Sequence, residues 1–471
     1  MASRFTTPRR TRVVIVGAGV AGLEAMLALR SLAGHRVEVT LVASESEFLY
    51  RPVTVGEAFG RSEARAYPLR QLVGDRVHKL LDTAVTRVEP DEHLLFMADG
   101  TRLPYDVLVI ATGAVPRAWL PGALTFRGRP DVAALRHLLD ELVAKPTHSV
   151  AFAVPSESVW PLPIYELALM TAAHLREHGC ENEVWLITPE QEPLAMFGPE
   201  AARAVAPLLR SLGIQVRTSL RPASIEKRAL VMVGGVKVFV DQVVTLPELE
   251  GPWLSGLPSD NRGFIPVDSY GRVLGVDDVY AAGDATAFPL KQGGLAAQQA
   301  DTVAETIAAE LGMPVDPQPF SPVLRGLLIT DGAPLYLRAE PQRLPGEATV
   351  AIEARPVRRT AGSASAAAGQ PLWWPPAKIA GRHLGPFLAT ARPSDLAFEP
   401  LADRHAVGSS APEDQDQADA LELALLLADC DAKWGDYFAA LNALDAALAL
   451  EGALPPEYEA KRKAWTVAAH A

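Results

Sequence analysis

The chain has two cysteines, Cys180 and Cys430, in 471 residues. That is too few for a disulfide framework, and they do not form a C-x-x-C pair. The mechanism therefore has no redox-active cysteine pair, and a reducing cytoplasm is the expected setting. No run of about 18 apolar residues occurs, so no segment is expected to span a bilayer. The N-terminal stretch MASRFTTPRRTR is basic but has no apolar core before the first predicted strand, so no signal peptide is expected. Positive charge is in deficit: 44 Lys and Arg stand against 56 Asp and Glu, a net charge of −12 that argues against a nucleic-acid partner. The ten histidines are scattered and no metal motif is visible, so no metal is expected. With 49% hydrophobic and 21% charged residues, the composition is that of a globular protein of two or three domains.

What is present starts with RVVIVGAGVAG, Arg12 to Gly22. Val13 to Val16 is a β-branched apolar run, as a buried parallel strand requires. Gly17, Gly19 and Gly22 fall on G-x-G-x-x-G spacing, and Leu23 to Leu29 reads as the helix that follows. The first glycine permits the tight turn, the second admits a pyrophosphate to the backbone, and the third lets helix and strand pack closely. Phosphates then sit at the helix N-terminus, where N–H groups and the helix dipole favour negative charge. Val37 to Val42 is the second strand. Its end normally carries an acidic residue for the ribose hydroxyls, but Ala43 and Ser44 stand there, with Glu45 next. Either Glu45 reaches back, or backbone and Ser44 hold the ribose. Arg51, in FLYRP, faces either a phosphate or flavin or simply solvent. Val77 to Met97 reads as a hairpin layer. Tyr105 to Ile110 is another buried parallel strand, ending in Ala111-Thr112-Gly113. Asp131 is expected to cap a helix running to Val143.

A second βαβ start follows, with strand Ser149 to Val154 and helix Leu162 to Leu175. The loop between them, PSESVWPLP, has no glycine and three prolines. Proline lacks the N–H that a phosphate needs, and its ring obstructs close approach. Val184 to Ile187 and Gln215 to Arg217 are further strands, so this unit keeps the frame of a nucleotide domain and loses the phosphate loop. Asp278 to Asp284, DVYAAGD, returns to a buried strand. Gly293-Gly294 opens a helix from Leu295 to Leu311, whose N-terminal dipole can face an electron-rich ring. Strands are expected from Ser321 to Glu353, with a turn at Asp331-Gly332. A low-complexity, mobile loop covers 356–370. The Trp373-Trp374 segment is either an amphipathic surface element or a packed cover. A linker follows at 401–417. Residues 418–471 resemble a tetratricopeptide helix pair plus a third helix, Glu457 to Ala468.

Together, GAGVAG at 17–22, ATG at 111–113 and VYAAGDA at 279–285 resemble the split FAD-binding set of the two-dinucleotide-binding-domain flavoproteins. FLYRP, KQGG and WWPPAKIAGRHLGPFLA are most similar to the branch containing type II NADH dehydrogenases and sulfide:quinone oxidoreductases. The resemblance implies an α/β fold with two Rossmann-like domains, the FAD domain split by an inserted, degenerate NAD-type domain. The expected boundaries are 1–117 and 256–315 for the FAD domain, 118–255 for the insert and 316–400 for a C-terminal cover. It implies that Gly17, Gly19, Val20, Ala21 and Gly22 hold the FAD pyrophosphate. Asp284, beside Gly283, would hold ribitol or pyrophosphate, and Val85 would meet adenine through its backbone. The turn from Lys291 through Gly294 to Leu295 would place N–H groups against the flavin pyrimidine. Glu166 would lie beside the flavin, or else be a helix-surface carboxylate.

Two departures from that pattern shape the functional expectation. The proline-bearing loop replaces the glycines of an NAD(P)H site, and neither cysteine falls where sulfide:quinone oxidoreductases use theirs. Cys180 and Cys430 read as small buried hydrophobes. The expectation is an FAD-dependent oxidoreductase taking electrons from a donor other than NAD(P)H at the usual site and passing them to a quinone or protein acceptor. Glu166 and Lys291 are the candidate catalytic groups. The rival readings are a flavin-containing scaffold that docks a partner or a second copy through residues 418–471, an NADH:quinone-type dehydrogenase with an atypical nicotinamide site, and a peripheral membrane dehydrogenase that reaches quinone through Trp373 to Leu388.

Overall fold

The computed structural model describes residues 9–34, 36–156, 159–330, 335–342, 353–356, 379, 381–391, 441, 444, 448 and 454–469. The expected turn at Asp331-Gly332, the loop over 357–370, Trp373-Trp374, the linker, Cys430 and most of the tetratricopeptide-like pair lie outside these residues. The helix expected from Glu457 is present as Pro456–Ala469.

The chain forms two compact units. The first draws on Met1–Leu49, Ala66–Val115 and Leu249–Ser321; the second takes Tyr50–Arg65, Pro116–Glu248 and Pro322–Ala471. In the first unit the strands are β1 (Thr11–Val16), β2 (Val37–Ala43), β3 (Lys79–Asp82), β4 (Val107–Ile110) and β5 (Val279–Ala281), and the long helices are α1 (Val20–Ala33) and α2 (Gly293–Glu310). They build one parallel sheet in the order β5-β4-β1-β2-β3. Val13 and Val14 pair with Val39 and Thr40 on one side and with Val107 and Leu108 on the other. Val13–Val16 of β1 and all of β4 and β5 are apolar and buried, as in strands covered on both faces. On one face a small antiparallel layer, Val85–Glu89, Leu94–Met97 and Arg102–Pro104, packs Val88, Leu95 and Met97 against Val14, Val16, Leu108 and Ile110. Each such buried aliphatic side chain contributes about 1.5–3 kcal/mol.

Two expectations are corrected. The stretch from Val77 is not wholly hairpin: Lys79–Asp82 joins the parallel sheet beside β2, and only Val85 onward forms the antiparallel layer. Asp131 does not cap its helix through its side chain. Its carboxylate instead accepts from the Arg127 guanidinium at 2.6 and 2.9 Å and from the Arg127 N–H at 2.8 Å.

The second unit repeats the plan. Its parallel sheet runs Leu124–Thr125, Gln242–Thr245, Val150–Ala153, Val184–Ile187, Gln215–Arg217, with Val150–Ala153 at the centre. The helix Leu162–Glu177 follows the central strand. A separate antiparallel sheet joins Leu324–Leu328, Leu335–Gln342 and Glu353–Pro356. Among the described residues no helix is long and apolar enough to cross a membrane.

Candidate functional site

In the first unit the strand order reverses between β1 and β4, so the crevice for a ligand lies beyond their carboxyl ends. Backbone bonds tie these ends together: Gly17 N–H donates to Val42 O, Ala111 N–H to Val16 O and Ala282 N–H to Ile110 O, at 2.7, 2.7 and 3.0 Å. Gly17 has a φ of 107°, and a Cβ there would lie 2.3 Å from the Ala111 carbonyl oxygen. A Cβ on Gly22 would lie 1.9 Å from the Gly17 oxygen. Those two glycines are demanded by the packing of strand and helix. Gly19 is different. Its φ is −77°, it is exposed, and a Cβ there would meet nothing within 4 Å.

Gly19 is the N-cap of α1, with no side-chain cap and no acidic residue in the first turn. The first intrahelical bond runs from Leu23 N–H to Gly19 O, which leaves the N–H groups of Val20, Ala21 and Gly22 ahead of it. An open, uncapped helix N-terminus behind a residue without a side chain fits a pyrophosphate. The FAD expected from the sequence thus has a cradle that a Cβ would fill.

Around this loop the unit brings together most of the expected residues. Ala111 is buried and Thr112 exposed, and Gly113, at φ 75°, has open space where a Cβ would be. Ala43 is buried at the end of β2, while Ser44 and Glu45 are exposed, with the Ser44 hydroxyl donating to Glu45 Oε2 at 2.8 Å. That pair stands where a ribose acid is usual. Val85 is half-buried in the antiparallel layer. Gly283, at φ 76°, lies where a Cβ would come within 2.9 Å of Ala21 and 3.3 Å of Ala296, so it is the point at which α1 and α2 approach. Its N–H donates to Gln299 Oε1 at 2.7 Å, and half-buried Asp284 follows. Gly294 and Leu295 are buried in the first turn of α2. The Gln292 side chain accepts from Leu295 N–H at 2.8 Å, so that N–H is engaged within the protein. Sequence reasoning missed both glutamines. Gln is a rare cap, and the partners Gln299 and Gly283 are too far apart for any local signal.

Lys291 is buried. Its ammonium donates to the Thr286 carbonyl and lies 3.8 Å from the centre of the Phe264 ring. Burial pushes it down to about 8, against the opposing pull of Asp284 and Asp260 and with help from Arg262.

Arg51 and Glu166 belong to the second unit. Arg51 is exposed at the start of the 3-10 helix Arg51–Phe59. Glu166 is not on a helix surface: it is 1% exposed, and its Oε1 accepts from Ile329 N–H at 3.0 Å. The start of its helix is poor in backbone donors. Pro161 is the N-cap and Pro163 has no N–H; Ile164 N–H turns back to the Pro161 oxygen at 3.0 Å, while Tyr165 N–H makes the ordinary first intrahelical bond to the same oxygen at 3.4 Å. Trp160 stacks edge-on against Phe197 at 5.6 Å. Within the helix, Tyr165 donates its hydroxyl to Glu190 Oε2 at 2.7 Å. Cys180 is half-buried rather than buried, on the wall of an open cavity of about 360 Å³, with its thiol 3.6 Å from the His178 oxygen. Among the described residues no group of His, Cys, Asp and Glu could hold a metal ion.

Two doubly wound parallel sheets, one interrupted in sequence by the other and carrying an uncapped glycine loop, define a protein built on two dinucleotide folds. The chain belongs to the pyridine nucleotide-disulphide oxidoreductase family, whose model matches residues 11–148 and 167–305. It is 26% identical over 306 residues to rhodocoxin reductase of Rhodococcus erythropolis, covering 59% of this chain and 65% of that one. It is 28% identical over 195 residues to the sulfide-quinone reductase of Aquifex aeolicus, covering 40% and 44%. The match thus spans less than two thirds of either relative. Among solved structures, the sulfide:quinone oxidoreductase of Aquifex aeolicus superposes with a TM-score of 0.59 at 22% identity, over 67% of this chain and 80% of that one. A ferredoxin reductase of Rhodopseudomonas palustris gives 0.54 at 20%, over 70% and 82%.

Proposed function

We propose that this chain is an FAD-dependent oxidoreductase that takes electrons from a donor other than NAD(P)H at the usual second-fold site and delivers them to a quinone or a redox protein. FAD supplies the redox chemistry when bound, and the protein orients and tunes it. The α1 N-terminus behind Gly19 would hold the pyrophosphate, and Asp284 the ribitol or pyrophosphate. Glu166 and Lys291 are the proposed groups near the reactive ring. A carboxyl can move a proton, and an ammonium can stabilise negative charge on the pyrimidine.

The observation that carries the donor assignment is the second fold's helix N-terminus. With Pro161 as its N-cap, Pro163 in its first turn and the Ile164 N–H turned back on Pro161, it offers a pyrophosphate fewer donors than the start of α1 does. The family match also breaks over 149–166, the segment holding that loop. The acceptor classes follow the names of the two relatives, a sulfide-quinone reductase and a rhodocoxin reductase. Residues 418–471 are proposed to serve docking or self-association, with the protein cytoplasmic or peripheral at the inner membrane face. The test is to load the protein with FAD, reduce it photochemically without oxygen, and add a soluble quinone. Reoxidation with saturation in quinone supports the reading; a protein that takes up no FAD ends it.

A further inference from the structure

In doubly wound nucleotide folds an acid just beyond the second strand receives the ribose hydroxyls. In the second unit that strand is Val184–Ile187, beside the central Val150–Ala153, and Glu190 follows it through Thr188 and Pro189. Glu190 is 9% exposed. Its Oε2 is already occupied by two hydroxyl donors, Tyr165 at 2.7 Å and Thr188 at 2.9 Å. Tyr165 is fully buried and comes from the helix that follows the central strand. Its own oxygen accepts from Leu194 N–H at 3.2 Å, so the phenol is fixed from two sides. The other carboxyl oxygen, Oε1, is buried with no hydrogen-bond partner. A buried carboxyl survives in a fold only where donors compensate its lost hydration. A phenol donating to this acid makes the contact that a ribose hydroxyl makes elsewhere.

We propose that Tyr165 occupies the ribose subsite of the second nucleotide fold, so that the Tyr165–Glu190 pair plugs it and Tyr165 is a specificity determinant against nicotinamide nucleotides. The proposal rests on the reading that the donor is not NAD(P)H and gives that reading a second, independent cause. The prolines leave the phosphate seat poor in donors, and Tyr165 takes the ribose acceptor. Burial pushes the Glu190 carboxyl up, with Tyr165 and Thr188 opposing, as expected of an acid enclosed by its own chain.

Adenosine is the probe, because it has a ribose and no phosphate and so does not depend on the proline loop. Its binding to the FAD-loaded full chain is measured by equilibrium dialysis for the unaltered protein, Tyr165→Val and Tyr165→Val/Glu190→Gln. The unaltered protein retains none. Tyr165→Val gains about tenfold or more in affinity, the worth of a hydrogen bond to a charged acceptor, and Glu190→Gln removes the gain. No gain, or a gain that survives Glu190→Gln, overturns the proposal. Should Tyr165→Val fail to fold, Tyr165→Phe keeps the ring and removes the donor. The Glu190 carboxyl band, assigned in the infrared by Glu190→Gln, then shifts. An unshifted band overturns the proposal. Flavin reduction by NADH that is indifferent to residues 165 and 190 would end the donor reading while leaving the adenosine result to stand or fall alone.

Discussion

Replacing Gly17 and Gly19 separately by alanine distinguishes a glycine required by packing from one required by a ligand. At Gly17 the φ of 107° strains any L side chain, and the new Cβ would sit 2.3 Å from a backbone oxygen of the neighbouring strand end. Strain alone is about 1–3 kcal/mol, and neither backbone can yield without disturbing β1 or β4, so a loss of about 3 kcal/mol or more is expected. At Gly19 the φ is −77° and nothing lies within 4 Å of the new Cβ. There the weaker N-cap costs less than about 1 kcal/mol and is offset by about 0.4–1 kcal/mol from the stiffer unfolded chain. The apo-protein's thermal midpoint should therefore fall in Gly17→Ala and hold in Gly19→Ala. FAD binding should show the reverse sensitivity in the variant that folds. A methyl group where the pyrophosphate approaches the backbone should weaken binding about a hundredfold. With FAD at 100 times the unaltered protein's Kd, ligand stabilisation then drops from about 2.7 to about 0.4 kcal/mol. Thermal scans with and without FAD, together with a flavin fluorescence titration, measure both effects. Equal destabilisation of the two apo-variants, or Gly19→Ala with unchanged FAD affinity, would refute the reasoning.

Further predictions follow from the titrating and buried groups. The folded protein holds Lys291 at about 8, whereas the unfolded chain keeps the ordinary lysine value of 10.5. The unfolded state therefore binds more protons between these values, and stability should rise with pH across that window by at most about 3 kcal/mol. Urea titrations from pH 7.5 to 10.5 should show this rise, and Lys291→Met should flatten it. Asp106 is held down at about 2, chiefly by its hydrogen bond from Arg12. Its stabilising effect should be present above pH 4 and fade as pH falls toward 2, and Asp106→Asn should lose that part of the acid transition. For Glu166, replacement by alanine leaves the buried Ile329 N–H without its acceptor and should cost about 1–3 kcal/mol, whereas glutamine keeps an acceptor and stays near the unaltered stability. If Glu166 moves a proton, Glu166→Gln slows turnover and alters its pH profile at unchanged stability.

The strands Val13–Val16, Val107–Ile110, Val150–Ala153 and Val184–Ile187 were legible because each is a short apolar run, a local signal that burial on both faces produces. The glycine loop was legible from its spacing, although the contact that demands Gly17 comes from Ala111, just beyond the end of β4. β3 was not. The Lys79–Asp82 strand has two half-buried and two exposed residues, so nothing in its pattern sets it apart from the antiparallel layer that follows. The burial of Glu166 had a signal that was available, since its helix is apolar nearly all round, the mark of a core helix rather than a surface one. Asp131 sat at a helix start, yet its carboxylate closed on Arg127 instead, because a bidentate guanidinium is a stronger partner than a helix N–H. The pairs Gln299–Gly283 and Tyr165–Glu190 join residues with no shared local motif, and only the packed fold brings them together.

The central claim is that a family member with an intact flavin cradle has lost the nicotinamide entry of its second fold. Anaerobic titration of the FAD-loaded protein with NADH and NADPH, following the flavin absorbance, tests it most directly. The account predicts an oxidised spectrum that persists through excess nucleotide and bleaches on addition of dithionite. Rapid, stoichiometric bleaching by either nucleotide would contradict it.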